Sequence, residues 1–245
     1  KQVGFSADVI LPATHDTASA IVAVPTTKDC VYISSGTWSL MGTMLDEPNC
    51  SLEDKKHGFT NEGGYEGRIR YLKNIMGLWI IQSLRRELKK KYSFDQLSNM
   101  AQSSSYDCLI DVNDIAFFSP KSMTDAIIKH LNDKGCKQPK DLGDILRCIY
   151  HSLAKSYADT ALQLESITQK SYPLIYIIGG GSQDDYLNKL TAIYSGRDVF
   201  AGPAEATAIG NIIVQAIVNK QFSNLKEAKK AISDSVPVKT AGGNL

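Results

Sequence analysis

Residues 172–219 state one plan twice. "YPLIYIIGGGSQDDYLNKLTAIYSG" passes from an apolar run through three glycines into an amphipathic pattern, and "RDVFAGPAEATAIGNIIVQAIVN" passes from a short strand through a Gly-Pro turn into a helix of small residues. A short apolar run bounded by turn residues reads as a buried strand, and the three- to four-residue spacing that follows reads as a helix. Two such units in succession predict an α/β layering, in which helices cover a sheet and ligands collect at the strand ends.

The totals limit what this layering serves. At 245 residues and 43% hydrophobic the chain carries ample core for one large domain or two small ones. Lysine and arginine number 27 against 26 acidic residues, a formal charge of +1, so no field draws polyanions from a distance and nucleic acid is not an expected partner. The one basic run, "RRELKKKY" at 85–92, reads as the solvated end of a helix. Five cysteines, an odd number with no C-x-x-C pair, predict reduced thiols in a cytoplasmic protein and no zinc site. Cys148 and His151 stand three apart on a helix but lack further ligands nearby, so no metal is expected there. No apolar run approaches the ~20 residues that span a bilayer, and no membrane partner is expected. The opening "KQVGFSADVI", without methionine, reads as the start of a piece of a longer chain.

Ahead of the two units, "DVILPA" reads as a short strand and "HDTASAIVAV" as a helix that Pro25 ends. Val31–Ser34 and Thr37–Leu45 predict a hairpin turned by "SG", and "FTNEGGYEGRIRYLKNI" predicts a second, with Gly63 and Gly64 at its turn and a strand through Ile69. Leu78, Ile81, Leu84 and Leu88 place a helix over about Ile75 to Lys91. The polar middle, 92–140, holds two short helices, "SFDQLSNMAQ" and "SMTDAIIKHLND", and no chemistry is read in it. The longest helix then follows, its buried stripe marked by Leu142, Ile145, Ile149, Leu153, Tyr157 and Leu164.

Three short motifs bear on chemistry. In "IIGGGSQ" the glycines let a ligand approach bare backbone ahead of a helix N-terminus, and equally suit a tight packing turn. The spacing is neither G-x-G-x-x-G nor a P-loop. "SSGTWS" offers donors at a hairpin turn, although Ser-Gly-Thr is also ordinary turn chemistry. In "HDT", Asp16 reads first as the cap of a helix starting at Thr17, and its pairing with His15 leaves a second role open.

Taken together and in order, "ATHDTASAIVAVP", "ISSGTWSLMG", "FTNEGGYEGRIRYLKNIMGLWIIQ", "YIIGGGSQDDYLNKL" and "AGPAEATAIGN" resemble the C-terminal domain of the FGGY carbohydrate kinases. The likeness runs from about Ala7 to Ser235 and is weakest between Lys91 and Lys140. "SSGTWSLMG" and "NEGG" followed by "LKNIMGLW" resemble the rhamnulokinase branch in particular.

The resemblance implies an actin-like, ribonuclease-H-like fold, a mixed sheet flanked by helices, with residues 1–245 forming the second of two domains. It implies that Asp16 is the general base, accepting a proton as the ATP γ-phosphoryl group passes to the 1-hydroxyl of L-rhamnulose, with His15 and Thr17 lining the sugar site beside it. It implies nucleotide contacts from Thr37, Asn74, Gln82 and Gly180. Asn74 and Gln82, eight apart, are expected on one face of one helix. "PAEATAIGN" is expected to pack a helix closely under the adenine. Mg²⁺ would be held mainly by ATP and by the N-terminal domain, the implied partner, and without that domain no turnover is expected. The same resemblance admits another ketose kinase acting on fuculose or xylulose, or a non-catalytic nucleotide- or sugar-sensing module.

Overall fold

The computed structural model describes residues 4–5, 7–13, 15–51 and 56–242. Seven strands form one mixed sheet: β1 (Val31–Ser35), β2 (Ser39–Leu45), β3 (Phe59–Gly63), β4 (Ile69–Ile75), β5 (Leu174–Ile178), β6 (Asp198–Ala201) and β7 (Lys239–Ala241). Their spatial order is β3-β4-β2-β1-β5-β6-β7. β1, β5 and β6 run parallel, as the two strand-turn-helix units require, and the remaining pairs are antiparallel.

Eight helices cover the sheet among the described residues of its layers: α1 (Asp16–Val22), α2 (Trp79–Glu87), α3 (Phe94–Ser103), α4 (Met123–Asp133), α5 (Leu142–Thr168), α6 (Asp185–Ser195), α7 (Ala206–Val218) and α8 (Leu225–Ser235). Side chains alternate across each strand, so Val31 and Ile33 enter one core while Tyr32 enters the other. The first core joins the sheet to α2–α6, and α5 supplies it with Ile149, Leu153, Tyr157 and Leu164 along its 27 residues. The second joins the opposite face to α1, α7 and α8. No helix of the described residues is long and apolar enough to cross a membrane.

Three expectations change. Residues 8–13 form no strand. β2 begins at Ser39 because Thr37 and Trp38 belong to the turn, where the Gly36 N–H donates to the Trp38 carbonyl at 2.9 Å. The helix placed over Ile75 to Lys91 is shorter, Trp79–Glu87. Ile75 is the last of seven residues of β4 paired in register with β2, and Lys89 and Lys90 take positive φ beyond the helix end. Sheet pairing over the whole strand outweighs a helical spacing that Ile75 only extends by coincidence.

None of the five cysteines is in a disulfide. Among the described residues His151 on α5 joins no group of three or more ligating side chains; its Nδ1 lies 2.8 Å from the Tyr194 hydroxyl and its Nε2 3.1 Å from that of Tyr186. Burial, helped by the Arg147 cation, pushes its imidazole down from 6.5 to about 4. The unfolded chain therefore binds a proton that the folded chain refuses as pH falls through this window. Stability is expected to drop by about 1–2 kcal/mol between neutral pH and pH 4, after discounting for solvent screening of this half-exposed ring. Urea midpoints at several pH values check this, and His151→Gln should flatten that part of the slope.

Candidate active site

The carboxyl ends of β1, β5 and β6 open along one edge of the sheet, where ligands of open α/β sheets collect. Ser34 pairs with Ile178, so the turn after β1 lies beside the glycines after β5. The Gly179 N–H donates to the Pro203 carbonyl at 3.1 Å and ties in the link after β6.

The three glycines do different things. Gly179 has φ 82°, and a methyl on it would stand 3.0 Å from the Ser35 carbonyl oxygen. A methyl on Gly181 would overlap the Ser35 hydroxyl, whereas a methyl on Gly180 would meet nothing within 4 Å. Packing accounts for the outer two glycines, and open space lies over the central one. A 3-10 turn, Gly180–Gln183, then leads to α6. The N-terminus of α6 is already occupied: Asp184 accepts the Leu187 N–H at 3.0 Å and the Tyr150 hydroxyl at 2.9 Å. Burial pushes the Asp184 carboxyl above the usual carboxylate range, and these hydrogen bonds oppose the shift. The anion-attracting end foreseen after the glycines is thus filled by the chain's own carboxylate.

Thr37 and Gln82 meet directly, the Thr37 hydroxyl donating to Gln82 Oε1 at 3.2 Å. The N–H groups of Leu78 and Trp79, at the start of α2, donate to the Gly36 and Thr37 carbonyls at 3.4 and 2.9 Å, which fixes the turn against the helix. Gln82 and Gly180 line one cavity of about 840 Å³ together with Gly36, Ile81 and Tyr186. That volume is of the size of ligand clefts.

Asn74 does not join them. It is an exposed residue of β4 opposite Leu40, not a helical residue. Leu72, two positions earlier, packs into the core under α1, so Asn74 faces that side of the sheet, while Gln82 stands on the α2 side. The helical spacing argument fails because a strand and a turn intervene between the two.

The far wall of the cavity is α3, with Ser98, Asn99 and Gln102. Residues 92–140, in which no chemistry is read from sequence, thus supply one wall of the cavity. Ser98 and Gln102 are spaced by four beside buried Leu97 and Ala101, the same pattern as any solvated helix face, and only the neighbours opposite make it a lining.

On the other side of the sheet α1 presents the "HDT" residues. The cap is His15, not Asp16: His15 has extended backbone and its Nδ1 lies 3.3 Å from the Thr17 N–H, while Asp16 is the first helical residue. Asp16 Oδ1 accepts the Thr17 N–H at 2.6 Å and the Thr17 hydroxyl at 3.2 Å, and lies 3.0 Å from His15 Nδ1. That nitrogen serves Thr17 as an acceptor when neutral and Asp16 as a donor when protonated. Asp16 is 76% exposed, whereas Thr17 is buried and its hydroxyl is directed at the carboxylate.

α7 positions this group. The Thr207 hydroxyl, in its first turn, donates to the Asp16 carbonyl at 3.3 Å. One helical turn along, Gly210 meets α1 so closely that a methyl there would overlap the Ser19 carbonyl oxygen. The small residues of "PAEATAIGN" do serve close packing, but against α1 and not beneath the cavity. Since α7 follows β6, whose link holds the glycine turn, Asp16 stands at the same end of the sheet as Thr37 and Gly180.

Comparison with known proteins accords with this geometry. Residues 31–218 match the family described as "FGGY family of carbohydrate kinases, C-terminal domain". The rhamnulokinase of Halalkalibacterium halodurans is 44% identical over 239 residues, 98% of this chain and 51% of that protein. That of Bacillus subtilis is 42% identical over 94% of this chain and 48% of its own length. Among solved structures, gluconate kinase from Lactobacillus acidophilus superposes with a TM-score of 0.69 at 13% identity, over 94% of this chain and 46% of that one. Plasmodium falciparum glycerol kinase with ADP superposes with a TM-score of 0.67 at 12% identity, over 91% of this chain and 45% of that one. These two show the fold, the actin-like, ribonuclease-H-like layering. The chain spans about half the length of the curated relatives it matches. With its matched span and its mixed, helix-flanked sheet, the chain belongs to the FGGY family of carbohydrate kinases.

Proposed function

We propose that residues 1–245 supply the nucleotide wall and the general base of a kinase that transfers the ATP γ-phosphoryl group to the 1-hydroxyl of L-rhamnulose. The observation that carries this reading is that an exposed carboxylate at the start of α1 and a nucleotide-sized cavity lined by Gly180 stand at the same end of the sheet, on its two sides. The substrate rests on the relatives named rhamnulokinase.

In this reading Asp16 receives the proton of the sugar hydroxyl as the phosphoryl group arrives. A loose transition state asks for a positioned acceptor and not a strong base, and the two bonds from Thr17 hold Oδ1 while Oδ2 stays available. His15 flanks the sugar on the exposed side. Thr37, Gln82 and Gly180 bind the nucleotide, and Asn74, on the other face of the sheet, takes no part in that wall. Among the described residues no group of three or more His, Cys, Asp or Glu forms a metal site. In this reading, as the family resemblance implies, Mg²⁺ would be held by the ATP phosphates and the N-terminal domain, and no step here depends on it.

A phosphorylation assay of the full-length protein over rhamnulose, fuculose and xylulose tests the substrate, and a preference against rhamnulose overturns it. The nucleotide wall has its own test. Gly180→Val fills open space, so it should weaken ADP binding about tenfold or more by obstruction. Its unfolding free energy should stay within ~1 kcal/mol of the parent. Unchanged ADP affinity by calorimetry would remove Gly180 from the site.

A further inference from the structure

At the opposite end of the sheet, under the C-terminal half of α1, lies a second cavity that this reading does not use. It has two lobes, about 240 and 90 Å³, which share Ile21, Met44, Arg68 and Lys229 in their walls. Tyr32 lines the larger lobe and Arg70 the smaller.

The polar groups here are donors with too few acceptors. Arg70 is 2% exposed; its Nε donates to the Gly63 carbonyl at 2.9 Å and one terminal nitrogen to Glu62 at 2.7 Å, but the other, Nη1, has no partner. The Tyr32 hydroxyl, on a side chain 1% exposed, has none either. Lys229 donates to the Thr26 carbonyl at 2.9 Å, and no carboxylate pairs with it among the described residues. Burial pushes its ammonium down to about 8, with the nearby Arg68 cation adding to the shift and Cys30 opposing it. Cys30 is itself pushed up to about 11 by burial, so it supplies no thiolate at neutral pH. Of the carboxylates in the walls, Asp29 is paired with Lys170 at 3.3 Å, and Glu66 borders the small lobe only.

Arg68 is answered by Asp46 at 3.1 Å and Arg70 by Glu62, so the walls leave two buried donors without acceptors and the Lys229 ammonium without a counter-charge, both unfavourable. One occupant relieves both: an acceptor-only dianion. Donors arrive from the sheet floor, through Tyr32 and Arg70, and from the α8 wall, through Lys229. A planar carboxylate offers two oxygens on one side, whereas a tetrahedral phosphoryl group offers oxygens in every direction. We infer that this cavity binds a phosphoryl group, as inorganic phosphate or as the head of a small phosphate ester, at a site separate from the nucleotide cavity. The occupant would also touch Ile21, on the helix that carries Asp16.

Calorimetric titration of the full-length protein with inorganic phosphate, at ionic strength held constant with chloride, tests the site. Saturable binding is expected, weakened about tenfold in Lys229→Met and about threefold or more in Tyr32→Phe, which removes one oxygen without changing the packed volume. Circular dichroism confirms the fold of each variant, and Tyr32→Phe decides the matter should Lys229→Met not fold. The same titration with glycerol phosphate separates the sources: tighter binding than phosphate assigns an ester, equal or weaker binding assigns the free ion. Absence of saturable binding overturns the inference. So does binding that both variants retain in full, since phosphate would then sit elsewhere, as at the glycine turn.

Discussion

Asp16→Ala in the full-length protein is expected to lower the proposed kinase kcat by roughly 10²–10⁴ while leaving ADP affinity nearly intact. The split follows from where the residue stands. Its carboxylate lies at the start of α1 and does not line the cavity that holds Gln82 and Gly180, so under the proposed function removing it would deprive the sugar hydroxyl of its acceptor without touching the proposed nucleotide wall. Thr17 provides the control. Thr17→Val deletes one of the two bonds that hold Oδ1 and keeps the carboxylate, so its kcat should fall by far less than that of Asp16→Ala. Steady-state kinetics with calorimetric ADP titration check both, and near-normal turnover in Asp16→Ala would remove this residue from the mechanism.

Gly210→Ala is expected to destabilise the protein by about 2–4 kcal/mol, a large effect for one methyl group. Overpacking is usually relieved by a side chain that yields, but the atom met here is the Ser19 carbonyl oxygen in the backbone of α1. Relief must separate α1 from α7, which opens the core around Ala20 and Val214 and strains the Thr207 bond to Asp16. Urea unfolding should register the loss in stability. A fall in kcat at unchanged ADP affinity should accompany it if, as proposed, α1 carries the base and not the nucleotide wall. Gly180→Val, with a larger side chain, should show the reverse pattern: stability kept, nucleotide affinity lost. A neutral Gly210→Ala would mean that the helices part at no cost.

Much of this architecture was legible because it is local. The two strand-turn-helix units, the hairpin at Ser35–Ser39 and the buried stripe of α5 are written as periodicities and turn residues within a few positions of one another. The ends of elements were less so. Ile75 fits a helical spacing with Leu78, yet it belongs to β4 because β2 lies alongside it, and no local pattern announces the neighbour. Asn74 and Gln82 were separated for the same reason. Asp16 suits the cap by residue type, but the backbone turns one residue earlier and gives that place to His15.

Single residues divide in the same way. The glycine run alone allowed either packing or ligand approach, and both are present: Ser35 decides that Gly179 and Gly181 are packing glycines, and the absence of any neighbour leaves Gly180 open. Ser98 and Gln102 were an ordinary polar face until α3 folded across the cavity. No local pattern singles out Arg70, and only its burial beside Tyr32 and Lys229 makes it part of a cationic cavity.

By itself, then, the sequence determined the layering, the order of the strand-turn-helix units and the family, because periodicity and motif order depend on neighbours along the chain. The tertiary structure alone decided which side chains share a cavity, which end of the sheet Asp16 occupies and where donors are left without acceptors. Those properties belong to pairs of residues far apart in sequence, such as Thr37 with Gln82 and Gly210 with Ser19, and burial sets them only when the chain has closed on itself.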